Sequence, residues 1–428
     1  MNLPLDFAAT VQRLVPPMCG EGPVTLALQG PASSDLLLAQ FPAPNPEWMP
    51  AAEWMRKQRS LPPTPVVPIY LGKSKQAEVR VGQAIQPAAF AARPGMTEQL
   101  RYLRWRISLL ATRVDHGAKR AAMQEPIAPA VDPGAIEMEL GSLHANQHLI
   151  AAGDYEAVLA HSREVPNTLA EIGRLREVAF RAAGEGTGRA YDLDRFDHDY
   201  LHLFVWNRAA REIAGAYRLR LTGNEPTPLY TATLFHYRPE FLRRLGPAIE
   251  LGRSFIRPEY QRSFAPLLLL WKAIGRFVAR HPAHKTLFGP VSISNQYQSV
   301  SRELMIAFLE KRELLADLAS LVRPRQAPVR RADVTADHCR DLDELSSLVA
   351  DLEPGRQGVP VLLRHYLRLG GKLLGFNVDP DFANTLDGLI VVDLTRTDPR
   401  LLERYLGKEE SAALLAHHRH QEGTYGNL

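Results

Sequence analysis

The stretch Ala248-Ile249-Glu250-Leu251-Gly252-Arg253-Ser254-Phe255-Ile256-Arg257-Pro258-Glu259-Tyr260 decides the fold. It reads as a buried strand that carries a Glu and an Arg three residues apart and is closed by a proline turn. A strand puts residues i and i+3 on opposite faces unless a bulge re-aims one of them. Charges in so apolar a run are costly unless they are paired or used, so Glu250 and Arg253 mark a candidate site.

The flanking residues extend the pattern. Pro266 suits a first helical turn, and Leu267, Leu268, Leu270, Trp271, Ile274, Phe277 and Val278 form a broad apolar helix face. Lys272, Arg276 and Arg280 recur every four residues and stack as one basic stripe. His281-Pro282 ends that helix, and Leu287 to Ser294 is a further strand leading into a helix through Phe308. Strand, turn, helix, strand is a βαβ unit, which requires parallel pairing. Upstream, a strand begins at Gly153 to Val158 and a helix runs from Ile172 to Ala182. Tyr200 to Trp206 and Ile213 to Leu221 are paired strands around a turn at Asn207 to Arg211. The loop Gly184-Glu185-Gly186-Thr187-Gly188 has the glycines of an anion cradle. It follows a helix and lacks the Lys-Ser/Thr of a P-loop, so it reads as a substrate-side lid or simple connector.

The order of these motifs resembles the GNAT-like N-acyltransferases that use acyl carrier protein thioesters, the ornithine-lipid and glycine-lipid synthases among them. It is more distantly similar to acyl-homoserine-lactone synthases. The matching pieces are Leu175 to Arg181, Asp192 to Asp197, Ile213 to Leu219, Glu250 to Tyr260 and Pro360 to Gly370, so the resemblance spans roughly residues 145 to 410. It implies an α/β GNAT-like mixed sheet flanked by helices. The function it implies is transfer of a long-chain (3-hydroxy)acyl group from acyl carrier protein to the amine of an ornithine-like or glycine-like amino acid, giving a lyso-aminolipid.

Residues 1 to 120 contain proline-rich loops, strands at Val66 to Lys73 and Glu78 to Ile85, and a helix at Leu100 to Thr112. This segment resembles the closing end of glycerolipid O-acyltransferases, without their catalytic His-x4-Asp in a suitable place. The one such spacing, His338 to Asp343, lies far downstream without the expected flanks. The segment therefore reads as a vestigial α/β domain. Residues 121–145 read as a linker, 146–320 as the acyltransferase core and 333–422 as a C-terminal subdomain completing it. Leu321 to Arg331 is a basic, proline-containing connection.

Composition excludes several classes. The 428 residues carry a formal net charge of +4 with 45% hydrophobic and 23% charged residues, ordinary for a globular protein. The mildly basic balance, with a pI near 9.0, favours acidic partners such as a carrier protein or anionic lipid heads and is too weak to argue for nucleic acid. Cys19 and Cys339 alone give neither a disulfide framework nor a cysteine zinc site. No run reaches the length of a membrane span, and the first residues do not read as a signal peptide. The expected location is the cytoplasm, with peripheral contact on the inner face of its membrane. The helix Leu100 to Leu110, which mixes Arg with Trp105 and Tyr102, either packs on its own domain or lies at that surface.

Acyl transfer to an amine needs a base, because an ammonium cannot attack. Glu250, in a poorly solvated strand, is the first choice, directly or through water. Arg253 can orient Glu250, hold the carboxylate of an amino-acid acceptor or contact the thioester. Backbone amides near Ser254, Phe255 and Ile256 are placed to meet the developing oxyanion. The resemblance implies that Arg176, Phe180, Asp194, Asp197 and Arg218 line the acceptor pocket. The turn Glu259 to Phe264 has no glycine, unlike the pyrophosphate loop of ordinary acetyltransferases, which favours a carrier-protein thioester over coenzyme A. Arg257, Arg262, Lys272 and Arg276 would then face the acidic donor. No metal and no permanently bound cofactor are expected, the acyl-phosphopantetheine thioester being a co-substrate. A separate O-acyltransferase would complete the lipid. Alternatives left open are a lysolipid O-acyltransferase, an acyl-amide signal synthase and an inactive acyl-chain or carrier-protein binding module.

Overall fold

The strand that starts at Ala248 lies at the middle of an eight-stranded sheet, and its two neighbours explain the site. The computed structural model describes residues 24–29, 36–41, 48–51, 53–54, 64–71, 79–112, 124–223, 228–330, 334–353, 355 and 357–425. Two units emerge, one from residues 1–117, 297–308 and 331–359, the other from 118–296, 309–330 and 360–428.

The first unit holds strands β1 (Val24–Gln29), β2 (Leu37–Phe41), β3 (Met49–Pro50), β4 (Val66–Leu71) and β5 (Val79–Val81) in the order β3-β2-β1-β4-β5. Only β1 and β4 run parallel. Helix α1 (Gly95–Thr112) starts earlier than the sequence suggests and buries Leu100, Tyr102, Leu103 and Ile107. Arg106, also buried, donates to Asp351 and to the Tyr102 hydroxyl (3.0 Å), so this helix is committed to its own unit. Asp351 belongs to the helix Leu342–Leu352, which therefore lies in the first unit and not in a separate C-terminal subdomain.

The second unit opens with helix α2 (Pro133–Ser142), inside the stretch expected as a linker. Asp132 caps it, Pro133 occupies its first turn, and Ile136 and Leu140 are buried in the core. Then come β6 (His148–Ala152), β7 (Tyr155–His161), α3 (Pro166–Ala182), β8 (Leu201–Asn207) and β9 (Glu212–Leu221). A short pair follows, β10 (Phe235–Tyr237) with β13 (Val322–Pro324), the latter within the expected basic connection. Between them lie β11 (Ala248–Ile256), α4 (Phe264–Arg280) and β12 (Thr286–Ile293). Helix α5 (Val361–Arg368) precedes β14 (Lys372–Asp379) and β15 (Thr385–Asp393).

The sheet order is β14-β15-β12-β11-β9-β8-β7-β6, a mixed α/β architecture in which residues 372–393 are integral strands. Only β11 and β12 pair parallel, as the βαβ reading requires, and they do so for three residues: Ala248↔Thr286, Ile249↔Leu287 and Glu250↔Phe288. Beyond that point both strands carry a reason to part. Pro290 has no N–H to donate to a ladder. On β11 the pairing with β9 passes from Gly252↔Arg218 to Phe255↔Ala216, three steps against two, which is a bulge. Gly289 follows the last paired residue, where a side chain would meet the Leu251 carbonyl at 1.9 Å. Two apolar clusters pack this unit, one with Ile172, Phe204 and Trp206 and the other with Phe235, Phe241 and Phe288. No helix among the described residues is long and apolar enough to cross a membrane.

Candidate active site

A cavity of about 540 Å³ occupies the wedge where β11 and β12 part. Most of its wall is apolar, with Phe180, Leu267, Pro290, Val361, Leu362 and Phe382, and its charged groups are Glu185, Arg253 and Asp387. Four consecutive residues, Arg253 to Ile256, line it. A regular pleat would turn alternate side chains away, so the backbone of this stretch is itself wall.

Arg253 is the bulge residue, with φ of 47°, a conformation that costs a non-glycine residue about 1–3 kcal/mol. Its guanidinium packs over the rings of Tyr230 (4.9 Å) and Phe382 (4.6 Å). Asp192 stands 3.4 Å from its Nε and Asp194 3.8 Å from its Nη2. Behind this pair, Arg218 donates to Asp194 (2.6 Å) and approaches Asp197 (3.1 Å), and Arg176 donates to Asp197 (2.7 Å). Three arginines and three aspartates thus form one ion network in which Arg176 and Arg218 are fully buried. Burial alone would raise the Asp197 carboxyl, but the charges of Arg176 and Arg218 hold it well below its ordinary value. Burial prevails at Asp192, whose carboxyl is pushed up despite Arg253. Such networks are strongly destabilised when one member is removed.

The network places the expected acceptor residues. Phe180 lines the cavity, whereas Arg176, Asp194, Asp197 and Arg218 lie outside its lining and reach Arg253 through Asp194. Glu250 differs from its expectation as well. It is buried at 1% exposure and does not line the cavity. Its Oε1 accepts the Thr231 N–H (2.7 Å) and its Oε2 the Tyr200 hydroxyl, which in turn accepts the Tyr230 N–H (2.8 Å). Both oxygens are used in holding the short turn that aims Tyr230 at the cavity. Its geometry is that of a positioning residue.

Among the expected donor contacts, Ser254, Phe255 and Ile256 line the cavity. Arg257 is bound instead to Glu212 and Glu259 (3.0 Å), and Arg262 is exposed outside the lining. The basic stripe on α4 is partly consumed within the chain, since Arg276 bonds Glu410 and Arg280 donates to the Asn146 carbonyl (2.6 Å). Lys272 also lies outside the cavity lining.

Sequence reasoning misses Glu185 and Asp387. Both line the cavity, at 8% and 6% exposure, and burial raises both carboxyls, Glu185 to about 7. Glu185 accepts from the Ser292 hydroxyl (3.0 Å), and Asp387 is the register partner of Ser292 on β15. A signal for Glu185 exists in the sequence, a carboxylate set between glycines directly after a helix.

Comparison with known proteins agrees with this architecture. Residues 175–272 match the family described as acetyltransferase (GNAT) domain. The chain is 32% identical over 269 residues to a glycine N(alpha)-acyltransferase of Bacteroides thetaiotaomicron, covering 57% of this chain and 79% of the relative. It is 38% identical over 179 residues to a glycine N(alpha)-acyltransferase of Phocaeicola vulgatus, covering 38% of this chain and 54% of the relative. An L-ornithine N(alpha)-acyltransferase of Brucella abortus is 26% identical over 287 residues, 62% of this chain and 97% of the relative. With the parted strands, the bulge arginine and these relatives in view, the chain belongs to the GNAT acyltransferases of the glycine and ornithine N-acyltransferase type and is an enzyme of the transferase class.

Proposed function

We propose that the chain moves a long-chain (3-hydroxy)acyl group from the phosphopantetheine thioester of acyl carrier protein to the α-amine of a glycine-like or ornithine-like amino acid, giving a lyso-aminolipid. The observation that carries this reading is an apolar wedge with one guanidinium aimed into it. An acyl chain needs such a lining, and the planar fork of Arg253 matches the acceptor's carboxylate. The backbone from Ser254 to Ile256, part of the wall, supplies amides for the oxyanion. Glycine and L-ornithine, the acceptors named for its relatives, both offer that amine and carboxylate.

The glycine-free turn after β11 favours a carrier-protein donor over coenzyme A, with exposed Arg262 and half-buried Lys272 on the donor side. A long-chain product partitions into lipid, so the enzyme works in the cytoplasm against the membrane surface, and a separate O-acyltransferase completes the lipid. The test is mass spectrometry of lipid extracts from a host expressing the chain beside its Arg253→Ala variant. A new N-acyl amino acid made by the chain and missing from the variant is expected, and it names the acceptor. Expressed, folded protein with acyl carrier protein in supply and no new acyl amide refutes the reading.

A further inference from the structure

The Gly184 to Gly188 loop has no task in the scheme above, yet it is tightly built. Gly184, Gly186 and Gly188 have φ of 74°, 101° and 76°, values that residues with a Cβ rarely adopt. The loop wraps the fully buried carboxylate of Glu177. Its Oε2 accepts from the Thr187 N–H (3.0 Å) and hydroxyl (2.9 Å), and its Oε1 from the Gly188 N–H (2.8 Å) and Arg181 Nε (2.8 Å). A loop pinned in this way is neither a lid nor a simple connector. It presents Glu185, whose own N–H bonds the Phe180 carbonyl (2.8 Å).

The Glu185 carboxyl faces the cavity and is held by one oxygen only. Oε2 accepts from Ser292, and Oε1 takes no hydrogen bond from the described residues. Ser292 fixes where this lies. Ser292 stands on β12 four residues past its last pairing with β11, across the wedge from the bulged stretch whose amides are proposed for the oxyanion.

We propose that Glu185 is the catalytic base that takes a proton from the acceptor's ammonium, an assignment that rests on the acyl-transfer reading above. The ammonium gives one proton to the Glu185 carboxylate. The freed nitrogen lone pair forms the N–C bond at the thioester carbonyl, whose π electrons move onto oxygen. When the carbonyl re-forms, the C–S bond breaks and its electron pair leaves on sulfur. The second nitrogen proton neutralises that sulfur, giving amide and thiol, and Glu185 returns its proton to solvent.

Burial raises the Glu185 carboxyl to about 7, against the opposing effects of the Ser292 bond and the Arg253 charge. A base there is half ionised near neutral pH. The ionisable groups facing it are Arg253 on β11 and Asp387 on β15, with Asp379 on β14 behind Asp387. Tyr217 and Tyr230 complete the set in the cavity, and burial pushes both hydroxyls up.

The test uses the full chain, palmitoyl-acyl carrier protein, and glycine or L-ornithine, with thiol release and acyl amide both measured. Glu185→Gln is expected to lower kcat by roughly 10²-fold or more with KM for the donor unchanged. It is also expected to flatten the limb of the pH profile that rises through about 7 in the wild type. Hydroxylamine, an acceptor already neutral at pH 7, separates chemistry from structure, and with it the variant is expected to stay within about threefold of wild type. Equal loss with both kinds of acceptor, a loss under threefold with amino acids, or a limb flattened by Asp387→Asn and not by Glu185→Gln overturns the proposal. If the wild type acylates no amino acid, the acyl-transfer reading fails and the inference falls with it. If wild type and variant acylate alike, the inference fails alone. Folding is checked independently. A raised acid contributes stability that is full below its unfolded value of 4.5 and lost as pH rises through about 7. Glu185→Gln is thus expected to melt at pH 8 no lower than wild type.

Discussion

Glu250 and Glu185 are both carboxylates buried in the same unit, and they differ in what their oxygens still have to offer. Glu250 sits mid-strand with both oxygens bound, one to an amide and one to a phenol. Glu185 sits in a loop with one oxygen bound to Ser292 and the other turned to the cavity. A saturated carboxylate fixes its surroundings, whereas a half-satisfied one can accept a proton from a ligand. Burial and charge therefore locate a site, but the remaining hydrogen-bond capacity assigns the roles within it.

The largest effect beyond Glu185 itself is expected at Arg253. Arg253→Ala removes the cavity's cation and leaves Asp192 and Asp194 without it, so kcat/KM for the acceptor should fall by roughly 10²–10³-fold with a lowered Tm. Arg253→Lys retains the charge without the fork and should restore Tm more fully than kcat/KM. Equal recovery of both would reduce Arg253 to a member of the ion network. Next in size is Glu250→Gln. Loss of a charge-assisted bond to Tyr200 should cost about 1–3 kcal/mol in urea unfolding while kcat stays within about tenfold of wild type. A fully folded Glu250→Gln protein with no turnover would reverse the roles of the two glutamates. The smallest effect is expected at Arg276, half exposed and paired with Glu410. Arg276→Ala should shift stability by no more than about 0.5 kcal/mol and leave KM for acyl carrier protein unchanged. A several-fold rise in that KM would return the α4 stripe to the donor surface.

Local pattern made the βαβ unit, the paired strands β8 and β9, and Arg253 legible, because apolar period and proline punctuation act over a few residues. The chance of a bulge was legible too, since Glu and Arg at i and i+3 cannot share a face of a regular strand. Helix α2 is hidden in sequence by the prolines around it, although Asp132-Pro133 is a regular start signal. The placement of Asp387 and the saturation of Glu250 were not legible, because both depend on partners 95 and 50 residues away. The glycines of 184–188 signalled unusual backbone, but only Glu177 in three dimensions tells what the loop encloses.

The order in which the sheet is assembled carries a last consequence. β12 is flanked on one side by β15, a strand about ninety residues later in the chain. During synthesis β12 must wait as an edge, offering unpaired amides and carbonyls to any extended neighbour until residues 385–393 leave the ribosome. The same late strand brings Asp387 to the cavity. A nascent chain that stalls before it has neither the wall nor the full set of acids, so the catalytic wedge is finished only once β15 has been made.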